Sequence, residues 1–222
     1  MRRLLAFFCA ALLLCAGCAS QSKTAALSPE EFMAYPAGGE PLSPADAQGE
    51  ITIGKSGVSL GFQSAPSDAY ASADFSSKRG IRLGSTLEEL AEVYPDLRFH
   101  VIYGQSEDFK VKADVPLKTV ARQAKSGKDI VFLTYTQRSI DGQILSAKEF
   151  ESYCEKNGID GAALSSDPGA YCYECWGMIF GIDGQTVDSL SFTAVLPKKD
   201  AQTAPQDSGS ATEVSAERPF AL

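Results

Sequence analysis

A serine nucleophile is the first chemistry that the spacing of residues suggests. The run Gly57-Val58-Ser59-Leu60-Gly61 fits the Gly-x-Ser-x-Gly pattern of a nucleophile elbow, which exposes a serine at a sharp turn from strand to helix. His100 is the one histidine of the chain, and the carboxylates ahead of it that would complete a triad are Asp68, Asp74 and Asp96. An elbow needs a long buried strand before it and a helix after it, and Pro66 interrupts the segment that follows. A hydrolase built on Ser59 is therefore the alternative rather than the main interpretation.

The N-terminus carries an export signal. Two arginines precede the apolar segment 4–14, which has the length of a secretory signal and is too short for a spanning helix of about 20 residues. The sequence Ala16-Gly17-Cys18 then resembles the cleavage and lipidation box of bacterial lipoproteins. That resemblance implies a lipoprotein signal peptide at 1–18, fatty acids such as palmitate on Cys18, and a chain held on the extracytoplasmic face of the cell membrane. An ordinary signal peptide cut at a small residue is the alternative.

Three cysteines in the second half of the chain offer thiol chemistry. Cys172 and Cys175 form a Cys-x-x-Cys pair, and Cys154 lies upstream of it. A thioredoxin-like site places such a pair after a strand and at a helix N-terminus, whereas this one precedes a predicted strand. Since paired cysteines of exported proteins are mostly structural, we expect one disulfide from Cys154 to either Cys172 or Cys175. A thiol oxidoreductase that uses Cys172 and Cys175 is the alternative.

Composition limits the partners. Of 222 residues, 44% are hydrophobic, which is enough for a folded core. Loss of the two arginines of the signal lowers Lys+Arg from 20 to 18 against 28 Asp+Glu, so the mature chain carries a charge of −10. An acidic chain offers no basic stripe to neutralise phosphates, which argues against nucleic acid as a partner and leaves membrane attachment to the lipid. We expect no cofactor and no metal, because one histidine leaves the cysteines without a fourth zinc ligand.

One helix and the strand after it organise the predicted fold. Ser85 and Glu88 fit a capping box at the start of the helix, and Pro95 ends it. An apolar stripe recurs between them at helical spacing: Leu87, Leu90, Ala91 and Tyr94. The alternation of residues 97–103 then predicts a half-buried strand.

The same signals place the other elements. A second helix is predicted from Asp114 to Gly127, after a polar loop at 105–112, and a third from the capping box at Ser146 and Glu149. Asp141-Gly142 and Asp183-Gly184 are predicted turns. The remaining strands are predicted at 51–53, 58–60, 130–136, 176–182 and 186–196.

These patterns divide the chain into four segments. Residues 1–18 are the signal peptide, and residues 19–49, rich in Ser, Ala, Pro and Gly, predict a flexible tether with one helical turn opened by a capping box at Ser28. Residues 50–197 predict an α+β domain with two or three helices packed on a mostly antiparallel sheet. Residues 198–222 have almost no apolar content and predict a disordered tail.

The run from Lys78 to Ser85, which continues into Glu88-Glu89-Leu90 and Tyr94, resembles a motif of small extracytoplasmic lipoproteins from Gram-positive gut bacteria. It is more distantly similar to the small outer-membrane-assembly lipoproteins, whose fold is shared with β-lactamase-inhibitor proteins and packs two helices on one face of a small antiparallel sheet. The resemblance implies a non-enzymatic binding or assembly module of the cell envelope, with an unknown envelope protein or glycan as its partner. It carries over no site residues.

Overall fold

A mostly antiparallel sheet with three α-helices makes up the computed structural model, which describes residues 26–61, 74–104, 109–160 and 173–197. The predicted α+β class is confirmed. The helices are α1 (Leu87–Val93), α2 (Leu117–Lys125) and α3 (Ala147–Lys156), and a short 3-10 helix spans Pro29–Phe32. The strands are β1 (Tyr35–Pro36), β2 (Glu50–Gly54), β3 (Gly57–Leu60), β4 (Phe75–Ser76), β5 (Arg98–Tyr103), β6 (Lys110–Pro116), β7 (Ile130–Ile140), β8 (Gln143–Leu145), β9 (Glu174–Asp183) and β10 (Thr186–Val195).

The main sheet has the strand order β3-β2-β10-β9-β7-β5-β6, and β8 pairs with the end of β7. Every pair in it is antiparallel. The long strands β7, β9 and β10 form its centre, and β3 and β6 form its two edges. Strands β1 and β4 make a separate two-stranded sheet. The order places the N-terminal hairpin β2–β3 beside the C-terminal strand β10.

The larger core lies between one face of the main sheet and the helices α1 and α2. Leu90 and Tyr94 of the predicted stripe are fully buried there, and the ring of Tyr94 lies 6.3 Å from that of Phe180 in β9. All four residues of the stripe are buried, as the helical spacing predicted. Burial of a Leu side chain stabilises a fold by about 2 kcal/mol, so this stripe holds α1 on the sheet.

The opposite face of the sheet carries α3. Phe150 and Cys154 of α3 pack with Tyr173 and with Cys175 of β9 in a second, smaller apolar cluster. Cys175 precedes Trp176 on the same strand, and Trp176 belongs to the larger core. Because alternate side chains of a strand point to opposite faces, β9 contributes to both clusters.

The segment predicted as a flexible tether folds against the domain from residue 27 onwards. Phe32 is fully buried, and its ring lies 6.2 Å from that of Tyr135 and 6.0 Å from that of Trp176. The predicted helical turn is present as the 3-10 helix, but the side chain of Ser28 makes no capping hydrogen bond. The composition of this segment, rich in Ser and Pro, predicted a spacer. Burial of a few apolar side chains is nevertheless enough to anchor the segment on the domain. The predicted signal peptide 1–18 and tail 198–222 lie outside the described residues.

The caps of two helices differ from the prediction. Thr86 and Glu89, not Ser85 and Glu88, form the capping box of α1, and Ser85 accepts a hydrogen bond from the backbone N–H of Arg82. Asp114 does not begin α2; it lies in β6 with φ of 54°, and α2 starts directly after this strand. Pairing with β5 makes Lys110–Pro116 a strand with a register shift beside Asp114, which overrides both the local cap signal and the loop predicted up to residue 112. The capping box of Ser146 and Glu149 in α3 is confirmed.

Candidate functional site

Ser59 and His100 lie far apart in the sheet. Ser59 is in the edge strand β3, His100 is in β5, and four strands stand between them. At about 4.8 Å per strand, this order separates the two residues by roughly 24 Å. A nucleophile and its base must be within hydrogen-bond reach, so these two residues do not form a catalytic pair. Asp74 is paired instead with Arg82, at 3.5 Å, and Asp68 lies outside the described residues.

His100 is a half-buried residue of the sheet interior. It pairs across the strands with Thr134 of β7. Burial lowers the pKa of His100 below its ordinary value; Asp114 opposes this shift and Arg138 adds to it. The imidazole is therefore neutral at pH 7, which fits a side chain packed in a sheet.

The cysteines that the structure describes are buried thiols. Cys154 and Cys175 are free, and both belong to the cluster beneath α3. Burial raises the pKa of each thiol, and the nearby Arg138 opposes the shift only in part. A protonated thiol is a poor nucleophile, so neither residue is activated for redox chemistry. The predicted Cys154–Cys175 disulfide is not formed here, and Cys172 lies outside the described residues, which leaves the Cys154–Cys172 bond a prediction.

A groove of about 520 Å³ lies between the small sheet β1–β4 and the segment that leads into α1. One wall includes residues 79–82 and Ser85 of the run singled out in the sequence, and the other includes Tyr35 and Phe75. We call this cavity the groove. Its walls come from two distant parts of the chain, residues 35–37 and residues 74–93, which is why no local pattern predicted it.

Two glycines shape the wall that leads into α1. Gly80 and Gly84 have φ of 84° and 86°, a conformation that other residues rarely adopt. The side chain and backbone of Ser77 close the turn around Gly80 by accepting from Ile81 and Gly80 and donating to the carbonyl of Ile81. Gly84 donates to the carbonyl of Val187 in β10. The glycines of the motif therefore have a structural role: Gly80 forms the turn in the groove wall, and Gly84 holds the segment after it on the main sheet.

Arg79 fixes one end of the groove. Its Nε lies 3.0 Å from a carboxylate oxygen of Glu31, its Nη1 donates to the carbonyl of Val93 at 2.6 Å, and its guanidinium lies 4.6 Å from the ring centroid of Tyr94. The cation thus meets the C-terminal carbonyls of α1, where positive charge is favourable. With all of these partners, Arg79 is a structural residue.

Arg82 offers the groove a charge that a ligand can reach. It pairs with Asp74 at 3.5 Å, and the two side chains are 63% and 66% exposed. Exposed ion pairs contribute little stability, about 0–1 kcal/mol, and exchange partners readily. A carboxylate or another acceptor on a ligand can replace Asp74 at low cost. Glu89 also lines the groove, but its carboxylate is occupied by the cap of α1.

A buried carboxylate that the sequence did not single out lies at the start of β2. Glu50 is 9% exposed, and the hydroxyl of Thr52 donates to it at 3.1 Å. Burial raises the pKa of Glu50, and the bond from Thr52 opposes that shift. Within the described ranges, no group of three or more His, Cys, Asp or Glu side chains is placed to hold a metal ion.

None of the helices in the described part of the chain is long and apolar enough to cross a membrane. Comparison with protein-family models, with curated proteins and with solved structures found no match for this chain.

Proposed function

We propose that the chain is an extracytoplasmic lipoprotein, anchored in the cell membrane by fatty acids on Cys18, whose α+β domain binds an envelope protein or glycan in the groove. The observation that carries the binding role is the groove itself. It is bounded by hydrogen-bonded backbone and presents one exchangeable cation, Arg82. Such a surface can recognise a ligand without changing it.

The two enzymatic alternatives have less support. A hydrolase based on Ser59 would use His100 as its base, and four strands separate these two residues. An oxidoreductase based on Cys172 and Cys175 would need a thiol of lowered pKa, whereas burial raises the pKa of Cys175. These candidate residues therefore support catalysis less well than the groove supports binding.

Metabolic labelling tests the anchor. Cells that express the full chain are grown with a labelled fatty acid, beside cells that express Cys18→Ala. We expect label on the first protein alone, because only a thiol at position 18 can accept the acyl group. Equal labelling of both proteins would refute lipidation at Cys18.

Recovery of a partner tests the groove. The tagged full chain is purified from detergent-solubilised envelopes as wild type, as Arg82→Glu and as Arg122→Glu. Arg122 is an exposed arginine of α2 away from the groove, so its variant matches the change of charge. We expect a partner that is retained by wild type and Arg122→Glu and is lost with Arg82→Glu. Equal recovery by all three would exclude the groove as the binding surface.

A further inference from the structure

Gln137 attaches the N-terminal segment to the sheet by two hydrogen bonds. The backbone N–H of Leu27 donates to Oε1 of Gln137, and Nε2 of Gln137 donates to the carbonyl of Leu27, each at 2.9 Å. Gln137 itself is buried in β7, where it pairs with Trp176 of the larger core. The 3-10 helix that follows lies against β9 and β10. Leu27 is therefore held on the main sheet.

This attachment limits how far the domain can move from Cys18. Leu27 is the ninth residue after Cys18, so even a fully extended chain spans only about 30 Å between them. A flexible chain of that length has a mean end-to-end distance of roughly 15–18 Å. Had the whole segment 19–49 been a spacer, the reach would have been about 110 Å.

The charges beside this attachment neutralise one another. Nζ of Lys78 lies 3.7 Å from the carboxylate of Glu30, and Arg79 pairs with Glu31. Lys78 also donates to Oγ of Ser28, the residue after Leu27, at 3.5 Å. The mature chain carries ten excess negative charges. The two ion pairs beside the attachment are neutral, so this surface does not contribute to the excess negative charge and can approach lipid headgroups without strong repulsion.

The opposite end of the sheet lies well away from Leu27. Trp176 is the strand partner of Gln137, and Asp183 follows seven residues later at the end of β9. At about 3.4 Å per residue, these two points are about 24 Å apart. Lys55, in the turn between β2 and β3, lies 3.6 Å from Asp183, and both side chains are 72% exposed.

We infer that the domain stands end-on to the membrane, within about 30 Å of it. The end that carries Leu27 and Lys78 faces the lipid headgroups, and the end that carries Lys55 and Asp183 points away. This inference rests on the proposed lipid anchor at Cys18. The groove then begins near the membrane at Arg79 and extends outward towards Ser85, which lies beside β10.

Energy transfer to the membrane tests this orientation. The lipidated full chain is placed in phosphatidylcholine vesicles that contain an acceptor-labelled lipid. A donor dye is coupled to an azide-bearing residue at position 78 or at position 55, so that the native cysteines stay untouched. A second pair of proteins carries 20 inserted Gly and Ser residues after Ser20. Vesicle co-sedimentation is measured on every sample, with Cys18→Ala as the unanchored control.

We expect stronger transfer from position 78 than from position 55, and a loss of that difference when the spacer is lengthened. Equal transfer from both positions of a protein that co-sediments would overturn the orientation and leave the anchor standing. Stronger transfer from position 55 would reverse the orientation. Failure of the unmodified chain to co-sediment, or co-sedimentation of Cys18→Ala, would refute the anchor itself and with it this inference.

Discussion

The guanidinium of Arg79 lies over the ring of Tyr94, 4.6 Å from its centroid, and ties the end of α1 to the N-terminal segment through Glu31. Burial raises the pKa of Tyr94 to about 12, so the ring stays neutral at any physiological pH. Three separate pieces of the chain therefore meet at one side chain. The contact supports both the groove and the attachment of residues 27–32.

Replacement of Arg79 by Ala is expected to lower the free energy of unfolding by about 2 kcal/mol, because Glu31 and the carbonyl of Val93 both lose a charged donor. Arg82→Ala is the matched control: it removes only an exposed ion pair and should cost less than about 1 kcal/mol. Urea unfolding of the two variants measures the difference. Equal losses would contradict the structural role of Arg79.

The cap of α1 can be located by a pair of substitutions. Thr86→Ala removes the side-chain acceptor of the capping box and should cost about 1 kcal/mol. Ser85→Ala leaves that box intact and should cost less. Thermal or urea unfolding ranks the two variants. The reverse ranking would restore the cap that the sequence alone suggests.

Glu50 makes the stability of the domain depend on pH. Because its pKa is higher in the folded state than in the unfolded chain, where it is near 4.5, its protonated form favours folding. Its contribution is complete below pH 4.5 and is lost as the pH rises through the folded-state pKa. We expect Glu50→Gln to be more stable than wild type at pH 7, with the advantage shrinking towards pH 4. Urea unfolding at several pH values checks this, and a constant difference would show that Glu50 does not titrate in this way.

The state of the cysteines is open to direct measurement. A maleimide should react slowly with Cys175 in the native protein, since the thiol is buried and its pKa is raised, and rapidly in urea without reductant. Cys154 should behave in the same way if it is a thiol, as the structure has it. If Cys154 alone reacts with the maleimide only after a reductant is added, this would support its predicted bond to Cys172. Such a bond closes a loop of about 20 residues and stabilises the fold by about 3 kcal/mol. A need for reductant at Cys175 would contradict the structure.

Local signals predicted the three helices and the strands β2, β3, β5, β7, β9 and β10, whereas β6 was predicted as a loop and a helix start, and β1, β4 and β8 were not predicted. The stripe of α1 and the turn at Asp141-Gly142 depend on neighbouring residues only, so the sequence was sufficient for both. The choice between Ser85 and Thr86 as the cap depended on β10, which bridges Thr86 at Thr186. The adjacency of β2 and β10 brings together residues that are more than 130 positions apart, and no local pattern encodes it.

The repeated tetrapeptide Ile-Asp-Gly-Gln illustrates the same limit. In the first copy Ile140 pairs with Gln143, so the loop consists of Asp141 and Gly142. In the second copy Asp183 pairs with Thr186, and the loop moves by one residue to Gly184 and Gln185. The same four residues thus pair in two different registers, because the pairing along the long strands β9 and β10 determines the register of the second copy. The groove was beyond prediction for the same reason, since its walls meet only in the folded chain.

The free edge of β6 bears on how copies of this protein behave when crowded. Its outer residues Lys110, Val111 and Lys112 are exposed, and Asp114 on the same strand has positive φ. Like charges and an irregular backbone hinder a second sheet from adding to such an edge. The other edge, β3, is only four residues long. These two edges therefore hinder neighbouring copies of the protein from pairing into a shared sheet.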